Sequence, residues 1–498
     1  MDFGFVGPSY TAPSIYQDDQ ELINWYIEID PNKIASQDNP RGERGRYTMY
    51  PTPGLTAKVT TQVGEVRGLR PSPDETKLLA IVGSNVYTIT GAWAATLVGT
   101  MSSSTGAVHI TDNGAGSYWC DGANRYYYNW DTSTFLQLPP TDGYFSGGTI
   151  ADEVDGYIVY NNPGTRQWTC TWQYQTGVAG GDPTGLTTPT AAILPFGYGE
   201  KTSAADPIAT LIVNNRLVYL LGSKTSEAWI NSNASPFPFT IIPGTSTQHG
   251  CAAPKSIYTL GDSFAFLAQD ERGQGLVLMA DGFNFTQIST HAVTNDILNG
   301  RIDDAVGFTY QMQGHEFYVL TFPTQDKTWV YDLSTKLWHK WLSVDNYGQW
   351  HRSRVNCMCM FQGQWIAGDF VNGKIYTISN TVYTDDGQTI RRLRRCPHLV
   401  TDFKREYFST FQIQFQPGVG LSVGQGSNPQ AMLRWSNDGG STWSNEVWKS
   451  IGLIGQYQNR VIWRRLGLAR DRIFEVSVTD PIKAVIVSAD LEAEAGAT

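Results

Sequence analysis

The sequence predicts an all-β fold: a β-propeller of about seven blades followed by a C-terminal β-sandwich-like region. Three observations lead there. Short strand-forming runs recur as hairpin pairs from about residue 60 to residue 380, while helical periodicity is poor throughout. Turn formers are abundant, with 50 glycines and 24 prolines. Aromatic residues reach 12% for packing between sheets, and the charged fraction of 16% is lower than a helix-rich surface shows.

Residues 1–59 form an extended segment expected to dock onto the ring or close it, and residues 60–384 the propeller. Seven hairpins are readable. Lys77–Ile81 pairs with Asn85–Ile89, Gly116–Cys120 with Arg125–Tyr128, and Gly156–Tyr160 with Gln167–Trp172. Arg216–Leu221 pairs with Glu227–Ile230, and Ser263–Ala268 with Leu276–Met279. Glu316–Phe322 pairs with Thr328–Asp332, and Gln364–Gly368 with Lys374–Ile378. The last four begin roughly 50 residues apart, near the length of a four-stranded blade. A lone hairpin is marginal, so its apolar faces need neighbours, and radial stacking supplies them. Stacked β-sandwiches satisfy the same strand pattern, and six or eight blades stay open beside seven.

Two turns share one shape. Asp332 to Trp338 and Asn129 to Phe135 each place a capping side chain before a polar turn bracketed by aromatic residues, as in kelch-type blade edges. Residues 173–207, rich in Gly, Thr, Pro and Ala, read as a long loop or insertion. Thr294–Leu298 could form a turn or two of helix. Near residue 385 the pattern shifts, and residues 385–498 read as a β-rich domain with strands at Thr410–Phe415, Ala431–Trp435, Arg460–Trp463, Ile473–Val478 and Ala484–Val487. These fit a separate sandwich or sheets that also complete the ring. The last residues, 493–498, read as a frayed tail.

Composition narrows the function. A formal charge of −10 argues against wrapping nucleic acid, which needs a positive stripe. A channel wall past which DNA slides tolerates it. Six cysteines (Cys120, Cys170, Cys251, Cys357, Cys359 and Cys396) show no paired metal-ligand spacing and read as buried free thiols. Neither a secretory signal nor a run of about 20 apolar residues is present, so synthesis in a reducing cytoplasm is expected, without stable membrane insertion. No phosphate-binding glycine loop occurs, and no metal or other cofactor is expected. The seven histidines are expected at turns and surfaces rather than as catalytic bases.

The sharpest local motif is Ser436-Asn437-Asp438-Gly439-Gly440-Ser441-Thr442-Trp443, which matches the Asp-box pattern through Ser436, Asp438, Gly440, Thr442 and Trp443. Asp438 is expected to accept backbone N–H groups across a hairpin turn, with Trp443 covering it. Asp boxes occur in sialidases, away from the chemistry, so the motif speaks for turn architecture. Two basic runs, Arg391, Arg392, Arg394, Arg395 and Arg464, Arg465, Arg470, Arg472, are candidate subunit or partner interfaces. No helical reader or aromatic platform accompanies them, so protein is favoured over nucleic acid as their partner.

Several segments in order resemble a phage family. They are Asn24-Trp25-Tyr26 with Tyr50-Pro51-Thr52-Pro53-Gly54-Leu55, Thr225–Trp229 with Phe237-Pro238-Phe239, and Gly250–Ser256. Ile288–Ala292, Gly314–Tyr318, the Tyr331–Trp341 turn, the Asp box, Trp463–Gly467 and Thr479-Asp480-Pro481 continue the series. Together they resemble the packaged DNA stabilisation proteins, tail accessory proteins of short-tailed phages (podoviruses). The resemblance implies a structural virion tail component assembled in the host bacterial cytoplasm. It implies a homo-hexameric ring beneath the portal and its adaptor ring that extends the DNA channel and helps retain packaged DNA. A needle or plug protein, with tail spikes or fibres, would be its neighbours, and contact with DNA would be transient and non-specific. No covalent catalysis is implied. Two other classes stay in view: a sialidase-like glycosidase, which needs a carboxylate and arginine pocket, and a receptor-binding tail module using Tyr126, Tyr127, Tyr128 and Trp130 as exposed aromatics.

Overall fold

The structure is a computed structural model that describes residues 3–33, 45–114, 116–138, 147–171, 197–269, 273, 275–401 and 404–496. Seven antiparallel sheets form a propeller. Blade 1 is built from Val66–Pro71, Lys77–Val82, Asn85–Thr90 and Ala95–Thr100. Blade 2 holds Ile110–Asp112, Gly116–Cys120, Arg125–Asn129 and Thr134–Leu138, and blade 3 holds Ala151–Val154, Tyr157–Asn161, Gln167–Cys170 and Tyr198–Glu200. Blade 4 holds Ile208–Asn214, Leu217–Gly222, Ser226–Asn231 and Phe239–Ile241. In blade 5, Gly250–Cys251 and Tyr258–Leu260 both pair with Ser263–Gln269, followed by Gly275–Asp281 and Asn284–Gln287. Blade 6 holds Val306–Met312, His315–Phe322, Lys327–Asp332 and Leu337–Lys340. Blade 7 takes Val355–Phe361, Gln364–Asp369 and Lys374–Ser379, then borrows Gly54–Thr60 as its outer strand.

The first strands of successive blades neighbour one another, and that of blade 7 lies beside that of blade 1, so the circle closes. Each predicted hairpin is the middle pair of a blade. Their physics is visible in blade 1: Leu78, Ala80 and Val82 face Phe361, Ile366 and Ile375 of blade 7, whereas Leu79 and Ile81 face Trp119 and Tyr126 of blade 2. Alternate residues of one strand thus feed two separate cores, which makes the strand apolar on both faces.

The two kelch-like turns share a side-chain cap and a left-handed residue four positions after it, though the capped amide differs by one position. Asp332 Oδ1 accepts the Ser334 amide at 2.9 Å, and Asn129 Oδ1 accepts the Thr132 amide at 2.9 Å. Lys336 and Ser133 both take a left-handed φ, of 59° and 54°. Tyr331 and Trp338 pair directly across the turn with ring centroids 5.2 Å apart.

The C-terminal region is a β-sandwich braided with the N-terminal segment. One sheet runs Asp19–Ile23, Arg392–Arg395, Ile473–Val478, Gln430–Ser436 and Val447–Ser450. The other runs Trp25–Ile29, Tyr47–Pro51, Ile486–Ala495, Glu406–Phe415 and Val461–Ala469. Trp25, Phe408, Phe411, Trp463 and Phe474 fill the space between them. The chain changes sheet at Asn24, whose φ of 58° turns the corner.

Two expectations are corrected. The tail does not fray before Ala495, because Ala493 and Ala495 pair with Phe408 and Glu406 and complete a sandwich strand. Of the expected 173–207 loop, residues 173–196 lie outside the described residues, while Tyr198–Glu200 is the outer strand of blade 3. The helix at His291–Leu298 is the only α-helix among the described residues, and none there is long and apolar enough to cross a membrane.

Candidate functional site

The Ser436–Trp443 turn caps the end of the Gln430–Ser436 strand. Ser436 Oγ donates to Asp438 Oδ1 at 2.7 Å and accepts the Gly440 amide at 2.9 Å. Asp438 accepts the Thr442 amide at 2.8 Å and the Thr442 hydroxyl at 2.6 Å. The Thr442 and Ser436 hydrogen bonds hold the Asp438 carboxyl down at about 2. Gly440 sits at φ 93°, where a side chain would be strained. The guanidinium groups of Arg434 and Arg395 each lie over the Trp443 ring, at 4.7 and 5.0 Å. Every oxygen of this carboxylate is therefore engaged within its own turn.

The arginines divide sharply. Arg392 and Arg394 are fully buried and Arg472 is 1% exposed, which corrects their reading as interface residues. Arg394 donates to the carbonyls of Phe5, Gly4, Pro8 and Glu21 and to Gln20 Oε1. Arg472 donates to Asn437 Oδ1 at 2.7 Å and the Leu466 carbonyl at 2.9 Å, and lies over the Phe408 ring. Arg395 pairs with Asp19 and Glu475 inside the first sandwich sheet, and Arg391 stacks on Trp350 at 5.3 Å. Arg464, Arg465 and Arg470 are exposed along and just beyond the edge strand Val461–Ala469.

The aromatic strand is also corrected. Tyr126, Tyr127 and Tyr128 are each at most 1% exposed: Tyr126 and Tyr128 pack towards blade 1 and Tyr127 towards blade 3, with Trp130 half-buried against Tyr128. No exposed aromatic platform remains there. Three histidines leave the expected turns and surface. His109 is half-buried on the channel wall, His339 lies inside, and His315 bridges Asp332 at 2.7 Å and Glu28 at 2.5 Å. The six thiols are free; Cys120, Cys170, Cys251 and Cys396 are buried, and Cys357 and Cys359 half-buried between blades 7 and 1. Among the described residues no cluster of three or more His, Cys, Asp or Glu could hold a metal ion.

What hairpin reading missed is the propeller's own channel, lined by the first strands. It holds two chambers, of about 350 and 500 Å3, that meet at Arg67, Lys255 and Asn356. Arg67 caps the carbonyls of Gly83, Ser103 and Gly106. The smaller chamber adds Arg70, Glu75, His109 and Tyr258, and the larger adds Glu65, Asp121, Asp303, Asp304 and Arg352. A charged residue placed between two hairpin-forming runs was the available signal.

Comparison with known families matches residues 20–383 to the family described as Bacteriophage P22 Gp10, beta-propeller, and residues 391–494 to Bacteriophage P22 Gp10, beta-sandwich. Among solved structures, the chain is similar to that of U3-55K at 9% identity, covering 66% of this chain and 98% of that one, with a TM-score of 0.40. It is also similar to the β-propeller domain of Cps50 (Swd1) from Myceliophteria thermophila at 10% identity, covering 65% and 99%, with a TM-score of 0.43. No curated protein matches the chain.

Proposed function

The chain belongs to the Bacteriophage P22 Gp10 family, and from that membership we propose that it is a hub or nozzle subunit of a short-tailed phage tail. Membership makes it a phage tail structural protein and a virion component. On the proposed reading, six copies close into a ring beneath the portal and its adaptor, lengthen the DNA channel, help retain packaged DNA and conduct it on ejection. The needle or plug protein and the spikes or fibres dock around that ring. Assembly takes place in the host cytoplasm, and the work is mechanical, without covalent catalysis. Cyclic closure suits a conduit, since equivalent contacts surround a hole.

The observation that carries this reading is the match of both family regions, in order, over nearly the whole chain. Two features support it. Trp448, Ile454 and Tyr457 are 58%, 61% and 72% exposed on the sandwich, and Arg464, Arg465 and Arg470 line its edge strand, a combination suited to contact with another subunit or tail protein. The propeller's own channel has chambers of the size of small-molecule pockets, so DNA would pass along the axis of the ring instead. Electron microscopy of purified particles and of the isolated protein tests the proposal. Six-fold density below the portal supports it; a monomer found only on peripheral fibres overturns it.

A further inference from the structure

The smaller chamber of the propeller channel contains a cation without a counter-ion. Arg70 stands near the end of the Val66–Pro71 strand, half-buried, and among the described residues its guanidinium makes no hydrogen bond and no ion pair. It lines the chamber together with His109, Tyr258 and Cys359. The Tyr258 hydroxyl also has no partner among the described residues. His109 donates Nδ1–H to the Ala151 carbonyl at 3.1 Å, so its Nε2 is left for the cavity.

Neither nearby carboxylate forms an ion pair with Arg70. Glu75 is exposed at the rim. Asp152, behind His109, accepts from the Glu153 and Val213 amides and the Thr111 hydroxyl. Lys255 at the waist adds a second positive charge, with one of its three donors spent on the Thr149 carbonyl. The other chamber carries four acids (Glu65, Asp121, Asp303 and Asp304) beside Arg352 and the shared Arg67 and Lys255, so it is less favourable to an anion. The channel is therefore polarised, and its positive half is a partly open cavity of about 350 Å3, within the usual range for a small ligand.

We propose that this chamber binds a small anion bearing a phosphate or carboxylate group, with Arg70 donating to two of its oxygens and the Tyr258 hydroxyl to a third position. Arg70 supplies the planar fork that such groups match. The site rests on the channel geometry alone and stands or falls separately from the tail reading.

Inorganic phosphate titrated calorimetrically into the purified full chain, in chloride buffer of matched ionic strength, is expected to bind saturably at one site per chain. Arg70→Gln weakens that binding about tenfold or more and Tyr258→Phe weakens it less. Asp304→Asn, in the other chamber, does not weaken it. A parallel acetate titration tells phosphate from carboxylate preference, and saturable binding of either supports the site. Unsaturable heats with both anions, or unchanged affinity in Arg70→Gln, overturn it. Should Arg70→Gln fail to fold, crystals of the natural chain grown with selenate decide: an anomalous peak beside Arg70 supports the site, and none there overturns it.

Discussion

Ile23 pairs in parallel with Lys340, so the outer strand of blade 6 and the first sandwich sheet form one continuous sheet. Propeller and sandwich are therefore joined through backbone pairing as well as side chains. One residue later Asn24 sends the chain into the opposite sheet of the sandwich, and its side chain fastens the corner. It donates to the carbonyls of Leu342 and Arg391 at 2.8 and 2.7 Å and accepts the Leu342 amide at 2.9 Å.

Asn24→Ala leaves those three backbone groups unpartnered in a buried corner and places alanine at a left-handed φ that asparagine tolerates better. We expect a loss of about 3 kcal/mol, read as a lower midpoint in urea unfolding, with earlier separation of sandwich and propeller transitions.

Arg394 holds the first residues of the chain onto the sandwich through a buried guanidinium that donates to the Pro8 and Gly4 carbonyls and to Gln20 Oε1. Arg394→Met removes the clamp and strands those carbonyls. Hydrogen exchange at residues 4–8 is expected to accelerate strongly while the blade strands keep their protection, with a global loss on the order of 3 kcal/mol. Uniform acceleration across all blades would contradict a local clamp.

His315 and His339 give pH effects of opposite sign. For His315, burial opposes charging, but hydrogen bonds to Asp332 and Glu28 prevail and raise its pKa. Its stabilisation is complete below the unfolded value of about 6.5 and is lost as pH rises through the folded value. His339 is pushed down to about 4, chiefly by burial, so the unfolded chain takes up a proton that the folded one refuses. Stability falls as pH drops from about 6.5 towards 4, by at most about 3 kcal/mol. His339→Gln is expected to flatten that acid limb in denaturation measured against pH, and His315→Gln to lower stability most on the acid side of neutrality.

Asp438 lies low because Thr442 and Ser436 donate to it, so its turn stays closed above the ordinary carboxylate range and opens only as pH falls through about 2. Asp438→Ala is expected to speed exchange of the Thr442 amide at neutral pH and to leave the propeller unaffected. A change in blade protection would mean that the turn carries more than its own hairpin.

The middle strands of each blade are legible in the sequence because both their faces are buried, giving near-continuous apolar runs such as Leu78 to Val82 and Phe264 to Ala268. First strands are short or mixed, as in Ala151–Val154, because one edge lines the channel; outer strands such as Ala95–Thr100 are largely exposed. Neither carries a strong pattern. The channel site was illegible for the same reason, since Arg70 and Tyr258 lie in the first strands of blades 1 and 5 and His109 just before that of blade 2, and they meet only when the circle closes.

Local periodicity and turn chemistry, which are properties of neighbouring residues, were enough to read a repeated array of short sheets with a sandwich after it. Tertiary structure alone decided that Gly54–Thr60 completes blade 7 beside Lys374–Ser379, that the N-terminal strands thread both sandwich sheets, and that half of the arginines expected at interfaces stand inside or in internal ion pairs. A strand's pattern says that it must pair and a guanidinium's charge that it must be answered. The partner that does so can lie more than 300 residues away, and only the folded chain brings it near.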